Sequence, residues 1–215
     1  MHKPSVGVAL EGLPYIIISA FATLLFAVLD CWFMALLLLG LTCFIGHFFR
    51  DPERVGPENA DAVCSPADGR VIKVARETDP VSGESRQVIA IFMNVFNVHV
   101  NRMPVSGKIE LIRYIPGKFF NASFDKASED NERNVVVVTG KGNQRFTMVQ
   151  IAGLIARRIV CWAEPQDKLK RGERFGLIKF GSRVDLYIPD GYEPTVTIGQ
   201  KVVAGETAVA DKRKA

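Results

Sequence analysis

From Pro14 to Gly46 the chain is apolar apart from Ser19, Thr23, Asp30 and Thr42. So many consecutive apolar side chains suit a soluble surface badly, and this stretch limits the rest of the fold more than any other. Its halves, residues 15–29 and 31–46, are each somewhat short for a simple span of roughly 20 residues. Together they are too long for one untilted helix. Asp30, at the midpoint, would cost about 3 kcal/mol or more at a bilayer centre. It costs little at a turn near the interface, or in a helical hairpin that does not fully cross. Phe48-Phe49-Arg50-Asp51-Pro52-Glu53-Arg54 closes the stretch with aromatics, charge and a helix-stopping proline. A signal peptide fits poorly, because His2 and Lys3 are the only basic residues before the stretch and no small-residue cleavage site follows a single short apolar run. The competing reading is a helical hairpin buried in a soluble domain. The expectation is a membrane anchor of one or two helices over residues 1–50 and a separate domain over residues 51–215.

A length of 215 residues suits one domain with such an appendage. The formal charge of +4 favours an anionic partner. No nucleic-acid motif and no aromatic-basic interleaving appears, so a lipid surface is expected and nucleic acid is not. Cys31, Cys43, Cys64 and Cys161 show no paired spacing, and His2, His47 and His99 are scattered. No metal site is predicted, and the cysteines are expected to be reduced.

After residue 54 the pattern becomes that of short strands and tight turns. Pro66-Ala67-Asp68-Gly69-Arg70-Val71 leads into an alternating strand, and Pro104-Val105-Ser106-Gly107-Lys108-Ile109 repeats that arrangement. A third related piece runs over residues 197–207. Such turns between short strands are the grammar of biotinyl- and lipoyl-carrier domains. They predict a mostly β, sandwich-like domain of interlocked hairpins. Further strands are expected over residues 87–100, 134–139 and 145–151, the last after a hairpin turn at 140–143. Residues 153–162 favour strand slightly. Residues 164–174 read as solvated, and residues 211–214 as a tail needing no structure.

One stretch carries possible chemistry. Arg174-Phe175-Gly176-Leu177-Ile178-Lys179-Phe180-Gly181-Ser182-Arg183-Val184-Asp185-Leu186-Tyr187-Ile188 is close to strand alternation, broken at Gly181-Ser182. One reading is a β-bulge. The other is reactive: the Ser182 hydroxyl attacks the Gly181 carbonyl, moving the acyl group from nitrogen to oxygen. Elimination then cuts the chain and leaves a residue that hydrolyses to a pyruvoyl group. Glycine crowds that carbonyl least, and local strain would ease the attack.

Six pieces in order carry a resemblance: Phe48-Phe49-Arg50-Asp51-Pro52, Ser65-Pro66-Ala67-Asp68-Gly69, Asn97-Val98-His99-Val100-Asn101-Arg102, Tyr114-Ile115-Pro116-Gly117, Asn131-Glu132-Arg133 and Phe180-Gly181-Ser182. Over essentially its whole length the chain resembles the short archaeal and bacterial phosphatidylserine decarboxylase proenzymes. The resemblance implies self-cleavage between Gly181 and Ser182, giving a β chain (1–181) and an α chain (182–215) headed by a pyruvoyl group made from Ser182. That group would form a Schiff base with phosphatidylserine and yield phosphatidylethanolamine. Asp68 and His99 match positions assigned to self-cleavage and catalysis. The implied setting is the cell membrane, with the catalytic domain on the cytoplasmic side; a homodimer is compatible with it. Two departures stand out. Longer bacterial enzymes read Leu-Gly-Ser-Thr where this chain has Phe180-Gly181-Ser182-Arg183. They also carry a second histidine where this chain has Arg102, which stays protonated and cannot serve as that base.

The residues fit such chemistry. Decarboxylating an amino acid needs an electron sink, which a pyruvoyl carbonyl supplies. His99 is the natural proton donor, being the one histidine of the β domain. Its alternative role is structural, as a strand histidine. Asp68 would orient His99 or assist Ser182, although Asp-Gly is also a common turn pair. Arg102, Arg113, Lys118 and Arg133 are candidates for the substrate's phosphate and carboxylate, Arg102 first because it adjoins the His99 strand. Two other functions stay open. One is a membrane-anchored lipoyl-like carrier, for which Lys108 is an unconvincing attachment point. The other is a hydrolase using Ser182, which lacks a Gly-x-Ser-x-Gly elbow.

Overall fold

The computed structural model describes residues 7–123, 130–154, 158–179 and 181–213. Phe180, Ile155 and Lys214, on which parts of the sequence reading fall, lie outside them. The chain divides into two compact units, one ending at Glu53 and one beginning at Arg54.

The first unit is a helical hairpin. A 3-10 turn at Leu10–Gly12 runs into α1 (Leu13–Val28), and α2 (Trp32–Phe48) returns beside it. Asp30 sits in the connecting turn with a left-handed φ of 55° and is exposed. The turn therefore places the one charge of the stretch where ionisation is cheapest, as the sequence suggested. Thr23 and Thr42 hydroxyls lie 3.4 Å apart, and each also bonds to a carbonyl one turn back, so the helices meet without an unsatisfied polar group. The open end is tied by the Ala9 amide to the Phe49 carbonyl (2.8 Å) and the Asp51 amide to the Gly7 carbonyl (2.7 Å). Tyr15 stacks on Phe49 at 5.8 Å. Ile17, Ile18, Phe21 and Phe33 are each at least 64% exposed, which suits lipid rather than water. Leu10–Val28 is long and apolar enough to cross a membrane; Trp32–Phe48 is apolar but shorter.

The second unit is mostly β. Its strands are β1 (Val63–Cys64), β2 (Gly69–Thr78), β3 (Ser85–Met93), β4 (Val100–Arg102), β5 (Gly107–Ile115), β6 (Arg133–Thr139) and β7 (Arg145–Ala152). They continue as β8 (Ile159–Cys161), β9 (Lys168–Leu169), β10 (Arg174–Ile178), β11 (Ser182–Ile188), β12 (Tyr192–Pro194), β13 (Lys201–Val202) and β14 (Ala208–Lys212). Eight form one antiparallel sheet in the order β13-β2-β3-β11-β7-β6-β5-β9, and β1-β14-β12 and β4-β10-β8 form two small sheets.

The repeat in the sequence is a repeat in the fold. Each Pro-x-x-Gly turn opens a long strand, β2 or β5, that pairs with the next strand, β3 or β6. Both pairings slip their register early, between Val71 and Lys73 and between Ile109 and Leu111. Both turn glycines are needed for the same reason: a Cβ on Gly69 would strike the Phe92 carbonyl, and one on Gly107 the Thr139 carbonyl. The two hairpins flank β11 and β7 in the middle of the sheet.

The main core lies on the sheet face that carries Ile89, Ile91, Met93, Val136, Met148, Val184, Leu186 and Ile188. Val88, Val135, Val149, Ile151 and Tyr187 cluster on the opposite face. β11 is buried along its whole length, including Arg183 and Asp185.

Three local expectations change. The run 174–188 is two strands in different sheets rather than one bulged strand, because Gly181 takes a left-handed φ of 62° and turns the chain between them. Residues 164–174 are not simply solvated. They contain β9, and the Arg171 guanidinium bonds to the carbonyls of Pro57 (2.7 Å), Asn59 and Ala62. Asp211 and Lys212, read as part of a tail, close β14 against β12.

Candidate active site

Ser182 is the first residue of β11 and fully buried, paired with Met93 of β3 on one side and Ala152 of β7 on the other. Antiparallel pairing points it to the same face as Val184 and Leu186, into the main core. Its hydroxyl has the Met93 sulfur at 3.9 Å, a weak acceptor. That environment tolerates loss of the hydroxyl, since no strong partner would be orphaned if residue 182 became a carbonyl group. Neighbours are small as well: a Cβ on Gly153 would run into the Gly181 carbonyl oxygen.

His99 precedes β4, which pairs with β10. The His99 carbonyl accepts from Ile178 at the end of β10 (3.2 Å), placing the ring beside the segment that leads to Gly181. His99 is fully buried, as are its neighbours Val98 and Val100, whose side chains point to the opposite face of the extended chain. Nδ1 lies 2.9 Å from the Asn97 carbonyl, which can only accept, so Nδ1 carries the proton. Nε2 is then a lone pair, and the Gly181 amide donates to it at 3.4 Å. Gly181 of the cleavage site and His99, the predicted proton donor, thus meet, although they are 82 residues apart in sequence.

Asp68 is held by two groups. The Arg54 guanidinium donates to Oδ2 at 2.9 Å, and the Ala204 amide to Oδ1 at 2.8 Å. Ala204 belongs to the segment after the Gly181-Ser182 bond, so Asp68 links the two parts of the chain across that bond.

The four predicted cations separate. Arg102 is 3% exposed and donates to the Gly172 carbonyl at 3.0 Å, at the end of β4 that faces Arg174. Its burial follows from the β4–β10 pairing, which the sequence did not reveal. Arg113 is on β5, three strands and about 14 Å from β11. Arg133 opens β6 opposite Ile151 and bonds to the Asn131 carbonyl at 3.1 Å. Lys118 is exposed and bridges to Asn131, whose side chain donates to the Ala152 carbonyl at 2.8 Å, next to Ser182 in the sheet.

The sequence reading missed a buried polar chain. Asn134 donates to Gln150 (2.9 Å), Gln150 to Asn101 (2.8 Å), and Asn101 to the Met93 sulfur (3.8 Å) that also receives Ser182. Gln150 was the available signal, a lone polar residue within the apolar run of β7. Burial pushes the Cys64 thiol up to about 11 and raises that of Cys161, so neither is a thiolate nucleophile near neutral pH.

A pocket of about 260 Å³ opens beside Gly181, lined by Phe92, Asn94, Val95, Asn121, Ala122 and Leu154.

A family model described as phosphatidylserine decarboxylase matches residues 41–210. The chain is 59% identical to a phosphatidylserine decarboxylase proenzyme of Nitratidesulfovibrio vulgaris, over 99% of this chain and 98% of that one. It is 58% identical to that of Solidesulfovibrio magneticus, over 99% of each. For that of Paraburkholderia phytofirmans the figures are 47% identity, 98% of this chain and 100% of the relative.

Proposed function

The chain belongs to the phosphatidylserine decarboxylase family, and from that premise we propose how its residues divide the work. It is a self-cleaving proenzyme whose product decarboxylates phosphatidylserine to phosphatidylethanolamine at the membrane. The carbonyl of the pyruvoyl group made from Ser182 supplies, through a Schiff base, the electron sink for the departing CO₂.

The observation that carries the assignment of roles is the approach of His99 Nε2 to the Gly181 amide. In maturation the Ser182 oxygen attacks the Gly181 carbonyl carbon and His99 takes the hydroxyl proton. The C–N bond breaks as His99 passes that proton to the nitrogen, leaving an ester to Ser182 and a free amine at residue 182. Loss of the Ser182 Cα proton and cleavage of its Cβ–O bond release the Gly181 carboxylate. Water then replaces nitrogen, and ammonia leaves. The left-handed Gly181 and the space kept by Gly153 leave that carbonyl accessible. Residue 182 stays in place after the cut because β11 remains paired with β3 and β7 of the other fragment.

In turnover, His99 supplies the proton to the substrate carbon that loses CO₂. Asp68 supports the site from the Arg54–Ala204 junction. Lys118 is the first cation in this reading for the substrate's phosphate, and Arg133 the second, since both adjoin Asn131 at the Ser182 end of the sheet. Arg102 is assigned to the Gly172 turn, and Arg113 is the most remote of the four. The helical hairpin keeps the domain at the bilayer that holds its substrate, and the basic balance of the chain suits the anionic cytoplasmic leaflet.

The test is release of CO₂ from carboxyl-labelled phosphatidylserine in mixed micelles by the full chain. Activity is expected in the wild type and none in an uncut Ser182→Ala variant. Wild-type protein that is fully cut yet releases no CO₂ would contradict the reading.

A further inference from the structure

The pocket beside Gly181 has an apolar mouth, although the reacting headgroup is polar. Phe96, next to the lining residue Val95, is 64% exposed, Leu154 58%, and Phe120, next to Asn121, 45%. They come from three separate connections at one end of the large sheet. Three large exposed apolar side chains, one lining the pocket and two next to residues that line it, are unfavourable on a surface that meets only water.

In two of these connections an asparagine side chain accepts from the backbone amide of the exposed aromatic residue. In the turn that carries Phe96, the Asn94 amide donates to the Asn97 side chain (2.9 Å) and the Phe96 amide to the Asn94 side chain (2.9 Å). The Asn97 amide closes the turn on the Asn94 carbonyl at 3.0 Å. At the second tip one side chain satisfies both backbone groups of Phe120: Asn131 accepts from its amide (3.0 Å) and donates to its carbonyl (2.8 Å). Backbone groups satisfied in this way within the protein need no water, which suits a hydrocarbon interface. Lys118 holds its ammonium 5.8 Å from the Phe120 ring centroid, the position of a cation that reaches for lipid phosphates above a buried ring.

We propose that the pocket mouth is itself a bilayer-contact surface: the Phe96, Phe120 and Leu154 tips enter the acyl region of an anionic phospholipid leaflet. Phosphatidylserine then reaches Ser182 sideways, its glycerol and first methylenes against the apolar lining and its headgroup inward. The inference rests on the decarboxylase reading and adds the route of substrate entry.

The test uses the full-length matured enzyme in phosphatidylcholine vesicles with increasing mole fractions of phosphatidylserine. The helical hairpin keeps every variant on the vesicle, so the informative quantity is the interfacial KM. Phe96→Ser and Phe120→Ser are expected to raise it about tenfold with kcat retained. Toward monomeric dihexanoyl-phosphatidylserine, which needs no bilayer, their kinetics are expected to stay within about twofold of wild type. Correct cutting into two chains serves as the folding control. An unchanged interfacial KM in both variants would overturn the proposal. So would equal losses on both substrates, which would make the tips part of the pocket's shape alone. A second copy of the chain seated on the mouth would show as altered oligomeric mass in detergent at unchanged KM, and also counts against it. Wild-type enzyme inactive on both substrates would instead overturn the decarboxylase reading itself.

Discussion

The Gly181 amide donates to Nε2 of His99 at 3.4 Å, while Nδ1 of the same ring bonds to the Asn97 carbonyl. One ring nitrogen is committed to the Asn97 backbone, and the other accepts from the amide of Gly181, the residue whose carbonyl is attacked in the proposed maturation. His99→Gln keeps a polar group of similar reach but cannot exchange protons near neutral pH. It is expected to accumulate precursor, and any cut fraction should lose about 10²- to 10⁴-fold in kcat. Precursor-to-product ratios on denaturing gels and single-turnover rates check both parts.

Gly153 provides an independent steric test. Its Cβ would occupy the place of the Gly181 carbonyl oxygen, so Gly153→Ala is expected to displace that carbonyl and slow cutting strongly. Gly140→Ala is the comparison, because its Cβ would meet only ordinary contacts at 3.5–3.6 Å. Equal maturation rates for the two variants would remove the role given to the close approach.

Asp68 touches both future chains, through Arg54 and through the Ala204 amide. Asp68→Asn is expected to accumulate precursor if the carboxylate supports maturation. Normal processing with a lowered Tm would restrict Asp68 to joining the two fragments.

On the opposite face of β11, Arg183 and Asp185 form a fully buried pair, at 2.5 and 2.9 Å. Burial pushes the Asp185 carboxyl up to about 6, with Arg183 opposing the shift, and Glu77 and Lys73 acting more weakly in opposite senses. A raised carboxyl pKa means that the folded state holds this proton more tightly than the unfolded one. That contribution is complete below about pH 4 and disappears as pH rises through about 6. Asp185→Asn is therefore expected to lose ground to wild type at pH 4 and gain on it by pH 7, in thermal melts of the cut enzyme. Arg183→Met, which leaves the acid buried alone, is expected to cost about 3–5 kcal/mol. A difference between the Asp185→Asn variant and wild type that is flat with pH would contradict the assignment.

Much of this was legible in the chain because it is local. Two apolar halves around Asp30 allow a hairpin whose turn carries the charge, one of the arrangements that the sequence left open. The paired Pro-x-x-Gly turns specify the two long hairpins of the sheet. What stayed hidden depends on partners distant in sequence. The run 174–188 keeps strand alternation on both sides of Gly181, so only the left-handed φ reveals that it feeds two sheets. Arg171 reads as solvated until the carbonyls of Pro57, Asn59 and Ala62 are seen around it. Arg102 adjoins His99 in sequence, yet the pairing of β4 with β10 directs its guanidinium to Gly172. Gln150 and Asn101 likewise gain meaning only when their strands bring them together beneath Ser182.

The most direct measurement is the intact mass of the purified full chain under denaturing conditions, before and after treatment with a carbonyl-reactive amine. Two chains separated after Gly181 are expected, the smaller ending in a carbonyl group in place of its amine and gaining the mass of the reagent. A single unmodified chain from a folded, membrane-inserted sample would contradict self-cleavage at Gly181-Ser182, and with it the catalytic role given to Ser182.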